Sequence, residues 1–423
     1  MGGAAGHLSH LQDNTDFTFG DIKSILQDVA TADMEVVEKV DGQNLFFTWD
    51  AQSGQLRTAR SAGDIKRGGM SPAEYAGKWK GHPAEAAFTE GLAAIQRGMD
   101  QLGPEQLLEL FGPDGRNYVN AEIMYVDNPN LIIYAGNYIV LHNLHQFPDP
   151  ETDDGVQVTS RGPFQALVSA IKTAEAEQDA EGWAISGPQI IELRNIMEGG
   201  HYQKLSQALS ELAPDDATLA DFAAEKLRVG PVGSIPIPIN EQEGLINLIL
   251  GRPDAISLRQ LKSGKPKDVQ RSISAIATKT NSQKIISAML APVERAISDF
   301  ALEVLRGLES FFVDDHDAEI KRQRAELEAS IQQIQSVQGA DAEKLGEMLD
   351  RQLEKLGDIE NVASTMEGIV FEFPPGSEHL YKLTGSFAMA NQIVGRAKRL
   401  PTSQEVQEEG LLRSYIKMII LAG

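Results

Sequence analysis

A lysine that closes a β-prone run and is followed at once by a turn is held on a rigid element. An amine placed there becomes a nucleophile when nearby cations or desolvation lower its pKa. Lys39, in Glu38-Lys39-Val40-Asp41-Gly42-Gln43-Asn44, is such a residue, and its amine could attack a phosphorus atom. Lys-x-Asp-Gly is also what a solvated lysine beside a hairpin looks like, because Asp-Gly is a common turn dipeptide. The chain has no cysteine, which excludes thiolate nucleophiles, disulfides, zinc–thiolate sites and iron–sulfur clusters.

Further segments follow Lys39 in order. Ala59-Arg60-Ser61-Ala62-Gly63 places Arg60 21 positions after the lysine. Then come Tyr118-Val119-Asn120-Ala121-Glu122-Ile123, Tyr138-Ile139-Val140-Leu141-His142-Asn143, Met366-Glu367-Gly368-Ile369-Val370 and Tyr381-Lys382-Leu383-Thr384. Together with Lys39-Val40-Asp41-Gly42 they resemble the ordered motifs of the covalent nucleotidyltransferases, which comprise the ATP-dependent DNA and RNA ligases and the mRNA capping enzymes. The resemblance implies that Lys39 takes up AMP, or GMP, as a phosphoramidate. It further implies that Glu38, Asp41, Gly42, Asn44, Arg60, Glu122, His142 and Lys382 line the nucleotide, and that Glu367 and Glu122 serve Mg²⁺ or Mn²⁺. Asn44 resembles the asparagine of the RNA-ligase branch, where DNA ligases more often carry arginine. The implied function is an ATP-dependent polynucleotide ligase joining 5′-phosphate to 3′-hydroxyl ends, RNA favoured over DNA. The physical demand is consistent: an amine approaches a triphosphate only when cations neutralise it, and Mg²⁺ needs only one or two carboxylates.

The chain also departs from the family. The last motif usually carries two lysines separated by one residue, and here the second place is Thr384, leaving one cation unless Lys398 or Arg396 folds back. The purine-stacking place holds His142, an imidazole that can stack or can be a satisfied core histidine. Glu122 and Glu367 stand 245 positions apart, which implies an insertion into the catalytic domain. Only 41 residues follow Lys382, too few for the OB-fold clamp of most DNA ligases, so nick sealing by such a clamp is not expected.

The elements that must hold these residues are legible in outline. Glu35 to Arg60 reads as a pair of strands in one small antiparallel sheet, broken at Asp41-Gly42 and Asp50–Gly54. Further strands are expected at Tyr118–Tyr125, Leu131–Tyr134, Tyr138–Leu144, Gly368–Phe373 and His379–Leu383. From Phe164 to about Glu360 apolar residues recur three and four apart, as in Ile285, Ile286, Met289, Leu290, Val293 and Ile297, which reads as helix. The expected fold is α+β: an antiparallel-sheet nucleotidyltransferase domain in two parts, 1–160 and 361–423, interrupted by a helical insertion over 161–360. A helical hairpin is expected at about 317–356, either a solvated charged face over an apolar seam or an acidic arm that contacts a protein partner. The resemblance itself covers roughly 20–147 and 361–395.

Length and charge bound the rest. The 423 residues allow two or three domains. No apolar run approaches the ~18–20 residues of a membrane span, and the first residues lack a secretory pattern, so a cytoplasmic protein with no membrane partner is expected. With 61 acidic and 38 basic residues the net charge is −23, which argues against indiscriminate coating of nucleic acid. A basic stretch runs from Arg259 to Lys284, 7 Lys/Arg against one acid. Its Lys262, Lys265, Lys267 and Arg271 are either a solvated linker or contacts for acceptor phosphates. Gly63-Asp64-Ile65-Lys66-Arg67-Gly68-Gly69 is a second basic turn, a connector or a cradle whose backbone N–H groups hold phosphate. His7 and His10 read as ordinary terminal residues. A rival reading of a different class is an inactive nucleotidyltransferase-like interaction protein; DNA ligase and protein or small-molecule nucleotidyl transfer remain further alternatives.

Overall fold

Two β-sheets meet at residues 40–42 and form the frame of the chain. The computed structural model describes residues 8–31, 35–147, 156–157, 164–169, 182–191, 200–252, 255–308, 311–337, 345–350, 352–353, 363–374, 379–398 and 400. The strands are β1 (Val36–Lys39), β2 (Gln43–Asp50), β3 (Gln55–Ala59), β4 (Asn117–Met124), β5 (Asn137–Gln146), β6 (Val156–Gln157), β7 (Trp183–Ser186), β8 (Ile190–Ile191), β9 (Gly368–Glu372) and β10 (Leu380–Leu383). One sheet has the order β10-β9-β1-β8; the other runs β3-β2-β4-β5-β6, with β7 also on β5. All pairings are antiparallel except β5 with β7.

Period-two alternation decides which residues each sheet leaves free. Val36, Ile369, Phe371, Tyr381 and Leu383 turn into a core shared with the helices Phe19–Thr31, His201–Leu212 and Ala291–Arg306. Lys39 and Lys382 therefore point to the opposite face. In the six-stranded sheet Leu45, Phe47, Val119, Ala121, Ile123 and Leu141 pack on the helices Pro72–Trp79, Glu85–Met99 and Pro104–Phe111. Asn44, Asn120 and Glu122 occupy the other face. A third core joins Val40, Met124 and Val140 to the helices His316–Ser336 and Phe387–Ala397.

Three expectations need correction. Asp41-Gly42 is not a hairpin turn: β1 and β2 belong to different sheets, and the dipeptide carries the chain across. Residues 131–134 form no strand, because the N–H groups of Leu131 and Ile132 donate to Asp41 and that of Ile133 to Glu319, so none is available to a ladder. The helical insertion does not begin at 161, since β7 and β8 lie within it and complete the host sheets. Helices on both sides of it also pack into the host cores, and a core of its own is confined to residues between Ala224 and Ala277. The first arm of the expected hairpin is the helix His316–Ser336. Of the second, 345–350 and 352–353 are helical, and the rest lies outside the described residues. Among the described residues no helix is long and apolar enough to cross a membrane.

Candidate active site

Lys39 is the last residue of β1, and its Nζ lies 2.5 Å from Glu367, immediately before β9. Register explains the meeting: Lys39 pairs with Gly368, and β9 runs back along β1. Gly368 has to be glycine, since a Cβ there would come within 2.5 Å of the Leu383 carbonyl oxygen. That close approach sets β10, and with it Lys382, against β9. Gly42 is constrained in the same way, because a Cβ would lie 2.7 Å from Glu122 Cγ and 2.7 Å from the Ile123 carbonyl. The Gly42 N–H donates to Glu122 Oε1 at 2.9 Å, which ties the crossover to β4.

Glu122 Oε2 stands 3.1 Å from His142 Nε2. The ladder between β4 and β5 has an irregularity at Asn120/Ala121, opposite Asn143 and Leu141, and His142 sits in it. The imidazole is thus held by its edge to the carboxylate. Asn44, paired with Glu122 across the strands, donates to Asn120 Oδ1 at 2.7 Å. Its own Oδ1 is buried and has no hydrogen-bond partner among the described residues.

Electrostatics follow from burial and crowding. Burial works to lower the Lys39 amine, but the charges of Glu367 and Glu122 outweigh it and raise the pKa. Burial pushes the Glu367 carboxyl up to about 7 against the pull of Lys39. Burial would also raise Glu122, yet His142 and Lys39 bring it below its ordinary value. Lys382 is lowered, first by burial and then by the charge of Lys39.

Other expected site residues are elsewhere or occupied. Glu38 lies on the opposite side of β1 from Lys39, is 2% exposed, and accepts the Phe311 N–H at 3.2 Å. Asp41 is buried and accepts from the N–H groups of Leu131 and Ile132 at 2.6 and 3.0 Å, while its own N–H donates to Tyr134 Oη at 2.6 Å. It anchors a loop and offers little to a ligand. Burial pushes its carboxyl up to about 6 despite those donors. Arg60 turns to the helical side of its sheet, its guanidinium 5.0 Å from the Trp79 ring centroid and 5.3 Å from that of Phe88. It is not brought to Lys39. Neither substitute for the missing second lysine reaches the site: Lys398 pairs with Glu326 at 3.0 Å, and Arg396 lies on Met348 Sδ.

The basic stretch belongs to the separate helical core rather than to the sheets. Lys265 is paired with Glu241 at 2.7 Å, and Lys267 and Arg271 are exposed on the helix Lys267–Ala277, with Lys262 half-buried nearby. Gly68 and Gly69 have positive φ, but their N–H groups cap the preceding turn on Ile65 and Asp64, so the backbone cradle is closed.

His10 is the residue that sequence reasoning missed. The carbonyl of Ser9 accepts the Lys382 N–H at 2.9 Å, and Ser9 bridges Tyr381, which seats residues 9–10 along β10. Burial, and then the charge of Lys382, push the His10 imidazole down to about 4. No local pattern announces this placement.

Lys39, Glu367, Glu122, Asn44 and Lys382 thus surround the seam between the sheets. The arrangement supplies an amine, two carboxylates and a second cation. Among the described residues no group of three or more His, Cys, Asp or Glu is placed to hold a metal ion. No family model, curated protein or solved structure matches this chain.

Proposed function

We propose that the chain is a covalent nucleotidyltransferase, an ATP-dependent polynucleotide ligase acting through Lys39, with RNA ends favoured over DNA. The single observation that carries this reading is Lys39 against Glu367 at the sheet seam, with Glu122 and Lys382 beside it. Lys39 Nζ attacks the α-phosphorus of ATP; an N–P bond forms, the bond to the bridging oxygen breaks, and pyrophosphate leaves. Before attack the ammonium must lose a proton, because the contact with Glu367 favours its charged form. Lys382 offsets charge on the phosphates. Transfer of AMP to a 5′-phosphate oxygen then frees Lys39, and attack by a 3′-hydroxyl joins the strands and expels AMP.

The donor set suits a hard divalent cation such as Mg²⁺ or Mn²⁺: Glu122 and Glu367 would hold it, leaving other positions to water and phosphate. When bound, such an ion neutralises charge on the phosphates undergoing transfer.

Incubation with ATP labelled at the α-phosphate tests the reading. Label should survive acid denaturation of the protein, be absent from Lys39→Ala, and map to Lys39 by mass spectrometry; a parallel reaction with GTP establishes nucleotide choice. Failure of the parental chain to retain label would favour the second reading, a nucleotidyltransferase-like interaction protein. That alternative draws on Arg60 being stacked away from Lys39 and on Thr384 replacing the second lysine.

A further inference from the structure

Among the described residues of this acidic chain is a cleft of the opposite character. About 490 Å³ in volume, it lies between the far end of β2, β3, the 65–68 turn and the loop that enters β4. Four cations line it, Arg57, Lys66, Arg67 and Arg116, against two acids, Asp50 and Asp114. Asp50 is already engaged, accepting from the Ser53 hydroxyl at 2.7 Å and the Gln52 N–H at 3.0 Å. Among the described residues Arg57 makes only long ion pairs, 3.7 Å to Asp50 and 3.9 Å to Glu74, and so keeps much of its hydrogen-bonding capacity. Arg67 holds Asp64 at 2.7 Å, yet its side chain remains 70% exposed. Such a local excess in a chain of net charge −23 attracts an anion.

Position narrows the anion. Thr48 and Asp50 of the cleft alternate in phase with Asn44 along β2, so the cleft opens on the same sheet face as Asn44 and Glu122. Between them that face is floored by buried Phe46 and Tyr118. Asn44 and Thr48 are four residues apart, roughly 13 Å along the strand. A chain of phosphates beginning near Lys39 can reach that far, whereas one mononucleotide held there would not need to.

We propose that this cleft binds the phosphodiester backbone of the nucleic-acid acceptor a few nucleotides from its reacting end. The proposal deepens the ligase reading and rests on it for the identity of the strand. It moves acceptor contact from the outlying basic stretch to the sheet that carries Glu122.

The test is fluorescence anisotropy of a 5′-phosphorylated, dye-labelled single-stranded RNA, without ATP, over a salt series. It compares the full chain with Arg57→Gln/Arg67→Gln/Arg116→Gln and with Asp114→Lys, each checked for folding by circular dichroism. The triple variant should bind at least tenfold more weakly, with a log–log salt slope shallower by about 2. Asp114→Lys should bind more tightly. Parental affinity and slope in both variants would overturn the proposal, as would a parental chain that binds no RNA. Equal displacement of the RNA by low concentrations of pyrophosphate would reassign the cleft to a small anion and also overturn it. RNA binding lost in the triple variant of a chain that never adenylates would sustain the cleft while sinking the ligase reading. Adenylation with unchanged RNA binding in the variants would do the reverse.

Discussion

Lys39 Nζ touches Glu367, and the ammonium this contact favours is the wrong protonation state for attack on phosphorus. Glu367→Gln should therefore make Lys39 more reactive toward an amine-selective reagent at pH 8, severalfold by mass spectrometry, while lowering the proposed metal-dependent adenylation by two orders of magnitude or more. Unchanged labelling of Lys39 would mean that Glu367 does not hold its charge. Asp41 acts through structure. Alanine there strands the N–H groups of Leu131 and Ile132, and at about 1–3 kcal/mol for each orphaned donor urea denaturation should report a loss of roughly 3 kcal/mol. Asp41→Asn keeps an acceptor oxygen and should recover part of it. That Lys39, Glu122 and Glu367 come together was legible in the sequence, because the motifs that carry them stand in order on strands. The work of Glu38 and Asp41 was not, since their partners are backbone N–H groups delivered by residues 311 and 131–132. His10 was hidden for a related reason: only the docking of Ser9 on β10 brings it to Lys382.

Among the elements, the close packing of β9 and β10 rests on Gly368. Gly368→Ala would press a methyl to 2.5 Å from the Leu383 carbonyl and 2.8 Å from Thr384 Cγ2, and a backbone carbonyl cannot step aside cheaply. The expected cost is roughly 1–3 kcal/mol in denaturant unfolding. The proposed adenylation should fall further than stability alone explains, because β10 carries Lys382. A variant that adenylates normally would show that the spacing of these strands is not critical. Strand propensity found β2, β4, β5, β9 and β10 to within a few residues, since their β-branched and aromatic runs are bounded by turn residues. It failed at 131–134, where an apolar run reads as a strand but spends its N–H groups on carboxylates. Asp41-Gly42 misled for a different reason. The same dipeptide serves a hairpin or a crossover, and the choice is made by Glu122, which closes on the Gly42 N–H.

For the whole molecule, acid stability is set partly by histidines held in their neutral form, His145 buried and His10 half-buried. Burial pushes His145 down to about 4 in the folded chain, whereas it titrates near 6.5 when unfolded. Its contribution is fully present above pH 6.5 and is lost as the pH falls toward 4, an effect of about 3 kcal/mol. His10 acts in the same sense. His145→Gln should flatten the stability profile between pH 6.5 and 4 in denaturant titrations, and an unaltered profile would place the acid sensitivity elsewhere. The partition into domains was the least legible feature, because β7 and β8 are too short to declare themselves within a helix-rich stretch. The order β10-β9-β1-β8 also governs when this sheet can form during synthesis. Both neighbours of β1 lie far downstream, and Lys39 waits for Gly368 across more than three hundred residues. At typical ribosomal speeds that is roughly 15–65 seconds during which Val36 and Val37 sit on an open strand edge. The nascent chain must be shielded through that interval, and yield in a heterologous host should depend on chaperone supply more than on the stability of the finished fold.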